Sequence, residues 1–124
     1  MIKSSDIVYI AGPMTGKRLF NYPKFFGMAG IIKKIYGCEV LNPARQPEGL
    51  EYEEYISRAM SDLSHATVIV LLNGWSLSRG ARMECDEAKK RGIQMIAERE
   101  ILEAMNNHLK YANPKILIGE ISHD

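Results

Sequence analysis

The chain has 124 residues, 46% of them apolar and 25% charged. At about 150 residues per domain that is one domain with a core of its own, and the composition excludes a disordered tail or a collagen-like repeat. Sixteen Lys and Arg against fifteen Asp and Glu leave a formal charge of +1, which argues against a protein that holds a nucleic acid polymer through its phosphates.

Ile7 to Ala11 is a short apolar, β-branched run that stops at Gly12-Pro13, and it predicts a buried strand entering a loop. That loop, Gly12 to Asn21, carries Lys17 and Arg18. Pro23 suits the first turn of a helix and Asn21 its cap, so a helix is expected over about 23–35, with Phe26, Ala29, Ile32 and Ile35 facing inward. Tyr36-Gly37 ends it. Cys38 to Leu41 predicts a second strand, closed by Asn42-Pro43, and a polar loop runs on to Glu51. Tyr52 to His65 reads as a second helix with Tyr55, Ala59, Met60 and Leu63 on one side. Thr67 to Leu72 is continuously apolar after its first residue and predicts a central strand covered on both faces. After the loop 73–79 come a third helix (Gly80 to Arg91), a fourth strand (Ile93 to Ala97), a fourth helix (Glu98 to Tyr111) and a short edge strand over Lys115 to Gly119. The last few residues are expected to be loose.

Strands alternating with helices of this length call for a parallel sheet between helix layers. The expected architecture is therefore a single α/β domain over residues 1–124, a Rossmann-like, flavodoxin-like three-layer sandwich of about four or five strands, with 98–124 as a C-terminal helix and tail. Ligands in such sheets sit beyond the carboxyl ends of the strands, which singles out Gly12–Lys17, Asn42–Gln46 and Asn73–Arg79.

No run approaches the ~18 apolar residues of a spanning helix, and Met1 to Asp6 is not an apolar leader, so a cytoplasmic protein without membrane contact is expected. Cys38 and Cys85 lack motif spacing and read as small buried thiols. His65, His108 and His123 lie far apart, so neither a metal site nor a cofactor is expected; they read as surface or helix-end residues.

The third strand–helix junction holds the most chemistry. Free N–H groups at a helix start attract anions, Gly80 permits close approach, and Ser78 can cap the helix or donate its hydroxyl to a phosphate. Ala81, Cys85 and Ala88 form a small-residue face that Glu84 flanks at helical spacing. Glu84 is thus either an acid at a pocket floor or a surface residue paired with Lys90 or Arg91. Arg82, Asp86, Glu87, Lys89 and Lys90 read as a solvated face. Tyr9 reads as a core aromatic with a bonded hydroxyl. Trp75 either stacks on a base or covers the core.

The combined motifs resemble a known family: Tyr9 to Gly16, Asn21 to Phe25, Asn42-Pro43-Ala44, and Gly74 to Glu84. Over about 7–95 the chain is similar to the phage and prophage branch of the nucleoside 2-deoxyribosyltransferase-like superfamily, often described only as a domain of unknown function (DUF4406-like). The resemblance implies chemistry at C1′ of a nucleoside or nucleotide, with Glu84 as nucleophile and Tyr9 at the pocket. It implies a glycosyl-enzyme intermediate that water or a second base resolves, as in retaining glycosidases.

Six residues before that glutamate, transferases of the superfamily carry an Asp for a free 5′-hydroxyl and nucleotide hydrolases a Ser for a 5′-phosphate. Here it is Ser78, which implies an N-glycosidase for nucleoside 5′-monophosphates. Gly12, Met14, Lys17, Asn42, Trp75, Ser76, Ser78, Gly80 and Asp62 are the substrate-binding candidates. Two positions depart from the pattern: Ala59 stands where relatives have an Asp, with Asp62 one turn on as a substitute, and Thr67 stands where an Asp opens the third strand. The alternatives are a nucleoside deoxyribosyltransferase or, consistent with Ala59, a non-catalytic nucleotide-binding or sensing protein on the same fold. Relatives also lead one to expect a homodimer or larger homo-oligomer.

Overall fold

The structure, a computed structural model, describes residues 1–112. The expected edge strand over Lys115 to Gly119, His123 and the loose end lie outside the described residues.

Four strands, β1 (Ile7–Ala11), β2 (Glu39–Leu41), β3 (Val68–Leu71) and β4 (Gln94–Ala97), form one parallel sheet in the order β2-β1-β3-β4. Val8 pairs with Val40 on one side and Val68 on the other, and Val68 pairs in turn with Gln94. Four helices join or follow the strands: α1 (Tyr22–Tyr36), α2 (Tyr52–Leu63), α3 (Arg79–Arg91) and α4 (Glu98–Ala112). This is a Rossmann-like α/β fold with its helices in two layers.

The period-2 alternation of the strands divides the core. Val8, Ile10, Val68, Val70, Leu72 and Ile96 meet α1 (Phe25, Met28, Ala29, Ile32) and α4 (Ile101) on one face. Tyr9, Ala11, Ile69 and Leu71 meet α2 (Ala59, Leu63) and α3 (Cys85, Ala88) on the other. β1 and β3 are the inner strands, and every residue of β3 is buried. That explains its unbroken apolar run: a strand covered on both faces has no solvent side to make polar. The chain leaves β1 for α1 and β3 for α3, toward opposite faces, so the two strands bound the crevice where such folds bind ligands.

Expected and observed elements differ by one or two residues at most ends. The inward face of α1 is a larger difference. Phe25 is fully buried and Phe26 is 47% exposed, so the packed stripe is Phe25, Met28, Ala29 and Ile32 rather than the stripe begun by Phe26. Asn21 does hold the position before α1, but its side chain does not cap the helix; its Nδ2 donates to the Pro13 carbonyl at 2.9 Å. Leu19, Phe20 and Asn21 all have positive φ, between 53° and 62°. This left-handed turn costs about 1–2 kcal/mol per residue and folds the loop after β1 back toward the sheet edge.

Thr67 acts at the amino-terminal end of the sheet. Its hydroxyl donates to Asp6 Oδ1 at 2.7 Å and accepts from the Ile7 N–H at 2.9 Å, fastening β1 to β3. The departure from an acid here therefore falls at the end of the sheet opposite the carboxyl-end crevice. Cys38 and Cys85 are buried free thiols. No described helix is long and apolar enough to cross a membrane.

Candidate active site

A cleft of about 490 Å³ opens at the carboxyl ends of β1 and β2. Gly12, Met14 and Thr15 come from the loop after β1, and Phe20 and Tyr22 from the left-handed turn and the start of α1. The segment after β2 supplies Pro43 and residues 46–50; the first turn of α2 supplies Tyr52 and Tyr55; and Ser78, Gly80 and Ala81 mark the start of α3.

Several local features hold these walls. Gly12 is buried, and a β-carbon there would stand 2.8 Å from Leu72 Cβ, so glycine lets the loop cross over the end of β3. Ser78 caps α3, its hydroxyl accepting from the Ala81 N–H at 3.2 Å. The cap takes up the Ala81 N–H, and the start of α3 leaves the Arg79 and Gly80 N–H groups without intrahelical acceptors beside the cleft, where a negative charge is favoured. Arg79 lies over the Tyr52 ring with its guanidinium carbon 4.5 Å from the centroid, which brings a cation to the same rim.

Beneath this cleft is a buried polar pair. Glu84 is 1% exposed, on the inward side of α3 with Ala81, Cys85 and Ala88. Its position there replaces the alternative of a surface residue; Arg91 pairs with Glu87 instead, at 2.7 Å. The Tyr9 hydroxyl donates to Glu84 Oε2 at 2.5 Å. Burial pushes the Glu84 carboxyl up to about 8; the Tyr9 hydrogen bond opposes the shift and the charge of Asp62 adds to it. Glu84 is therefore mostly protonated at neutral pH. Tyr9 is driven well above the usual phenol range by burial first, then by the charges of Glu84 and Tyr55.

The sequence candidates separate into three groups. Gly12, Met14, Ser78 and Gly80 line the cleft. Glu84 and Tyr9 lie below it; Asp62, in the last turn of α2, is half-buried, is not part of the wall and acts on the pair through its charge. Lys17, Asn42, Trp75 and Ser76 are not part of the wall. Lys17 is exposed. Asn42 is buried, its Oδ1 accepting from the Ala44 N–H at 3.0 Å while its Nδ2 has no partner among the described residues. Trp75 is half-buried and packs against the core between the sheet and α2 and α3, in keeping with the covering reading. Ser76 is exposed and its carbonyl accepts from Arg82.

Sequence reasoning missed Tyr52 and Tyr55 as cleft residues. The signal was available: the first turn of a helix that follows a parallel strand lies at the carboxyl edge of the sheet, where the crevice is. It also missed Glu98, which is 2% exposed, accepts from Lys24 at 2.6 Å and from the Asn73 N–H at 2.9 Å, and ties the loop after β3 to α1 and α4.

No curated protein matches the chain. A family model does, over residues 6–97, which takes in all four strands and every cleft residue, and the chain accordingly belongs to the family described as a domain of unknown function, DUF4406.

Proposed function

We propose that this protein is an N-glycosidase acting on nucleoside 5′-monophosphates, with Glu84 as its nucleophile, and that it belongs with the nucleoside 2-deoxyribosyltransferase-like enzymes its motifs resemble. The observation that carries this reading is the buried Glu84–Tyr9 pair set one turn below the start of α3, beside the cleft. The phosphate arm rests on Ser78, Gly80 and Ala81, and Arg79, stacked on the lining residue Tyr52, supplies countercharge. The sugar then lies toward the floor.

Ionised Glu84 bonds to C1′ as the C1′–N bond breaks, and the base leaves with that electron pair and takes up a proton from solvent. Water cleaves the resulting ester, giving the sugar phosphate and the free carboxyl group. Tyr9 holds the attacking carboxylate in place through its hydrogen bond. A cationic centre developing at C1′ favours the ionised form that burial disfavours.

A second reading has an observation of its own. Glu84 is closed off from solvent, and Ala59 gives the site no second acid on α2 at that position, which suits a protein that binds nucleotides without turning them over. The two readings separate on incubation with a panel of nucleoside monophosphates, following free base by chromatography. Base release that disappears in Glu84→Gln supports the glycosidase; a thermal shift with nucleotide and no release supports the sensor. The proposal includes a cytoplasmic homo-oligomer, and a monomer at micromolar concentration in light scattering contradicts the oligomer.

A further inference from the structure

Neither Glu84 nor Tyr9 is exposed beyond 1%, and neither lines the cleft. Tyr55 belongs to both places. Its ring lines the cleft, with Cε1 3.8 Å from where a β-carbon on Gly80 would stand and its hydroxyl 4.0 Å from Met14 Sδ. It thus reaches from the start of α3 to the loop after β1. The same phenol is acted on by Glu84 and Tyr9: burial raises it most, the charge of Glu84 raises it further, and the Tyr9 hydroxyl pulls the other way. Among the lining residues, Tyr55 is the one that acts in turn on Tyr9. Gly80 offers the ring no side chain on that side.

We propose that Tyr55 is a movable cover between the cleft and the Glu84–Tyr9 pair, and that its ring must turn aside before Glu84 can meet a molecule in the cleft. Its consequence for turnover rests on the glycosidase reading, but access to Glu84 is measurable without turnover.

The test is carboxyl labelling with a water-soluble carbodiimide and a small amine, mapped by peptide mass spectrometry, with exposed Glu53 as the internal reference. In the native chain Glu84 labels about a hundredfold more slowly than Glu53, because it reacts only through opening. Tyr55→Ala, which removes the ring, speeds labelling of Glu84 by about tenfold or more and leaves Glu53 unchanged, whereas Tyr55→Phe, which keeps the ring, stays within about twofold of native. Circular dichroism melting establishes that each variant is folded, and Tyr55→Leu replaces Tyr55→Ala where the latter is not.

Labelling of Glu84 that is as fast as Glu53 in the native chain overturns the proposal, as does a folded Tyr55→Ala or Tyr55→Leu that labels no faster than native. Absence of base release from every variant counts against the glycosidase reading and leaves the labelling result standing.

Discussion

The buried carboxyl group of Glu84 makes a quantitative prediction about stability. Glu84→Gln keeps the shape of the side chain and an oxygen to accept from Tyr9, but removes the titrating proton. The group's ordinary value is 4.5 and in the fold it is about 8. The folded protein therefore holds a proton that the unfolded chain releases between those values. The stability linked to that proton is fully present below pH 4.5, falls as pH rises, and is lost above about pH 8, with a slope near 1.4 kcal/mol per pH unit.

At pH 7 the native protein has given up about 3 kcal/mol that the glutamine variant, neutral at every pH, retains. The new amide N–H₂ lacks an assured partner, which imposes a pH-independent cost of about 1–3 kcal/mol. The diagnostic is thus the slope of the difference between the two proteins, in which titrating groups not coupled to Glu84 cancel. Urea unfolding of both at pH 5, 6, 7 and 8 measures it. The variant gains on the native protein at every step up to pH 8 and levels off beyond. A difference that stays constant across this range refutes the assignment of a buried, proton-holding carboxyl group.

The remaining predictions concern the cleft and its supports. In base-release assays, kcat/KM of the native protein rises with pH up to about 8 and then levels, because only ionised Glu84 attacks; a profile that falls over this range contradicts the nucleophile role. Gly12→Ala destabilises by about 1–3 kcal/mol in urea unfolding, since the added methyl group meets Leu72 Cβ at 2.8 Å. Ser78→Ala costs about 1 kcal/mol through loss of the α3 cap, and calorimetry finds it weakens binding of a nucleoside monophosphate more than that of the parent nucleoside. Lys24→Met destabilises by about 2 kcal/mol, because Glu98 stays buried with one of its two partners gone, and Glu98→Gln in the same chain recovers part of the loss in thermal melting.

The proposed site uses two kinds of group that sequence reading treats very differently. Ser78 and Gly80 stand next to one another at a strand–helix junction, so their role at an anion-favouring turn follows from local chain order. Tyr9 and Glu84 are 75 positions apart, and nothing in either segment states that they bond. Lys17, suggested by its charge and its loop, is turned to solvent, while Arg79 stacks on the ring of the cleft residue Tyr52.

Chain order and hydrophobic pattern alone determined that strands and helices alternate, that β3 lies inside the sheet, and that the cleft opens at the carboxyl edge. Each follows from local rules: apolar runs bounded by Gly and Pro, helix starts and stops, and the right-handed return that parallel strands require. Depth was decided by the tertiary structure. Helical spacing left Glu84 at the edge of the Ala81–Cys85–Ala88 face, and only the close seating of that small-residue face on β1 and β3 carries the carboxyl group under Tyr9. The same holds for Phe25 over Phe26 on α1 and for Tyr55 at the cleft floor. A helix pattern specifies which residues share a side, but how far each sinks depends on the distance and tilt of the neighbouring layer, which are properties of the packed whole.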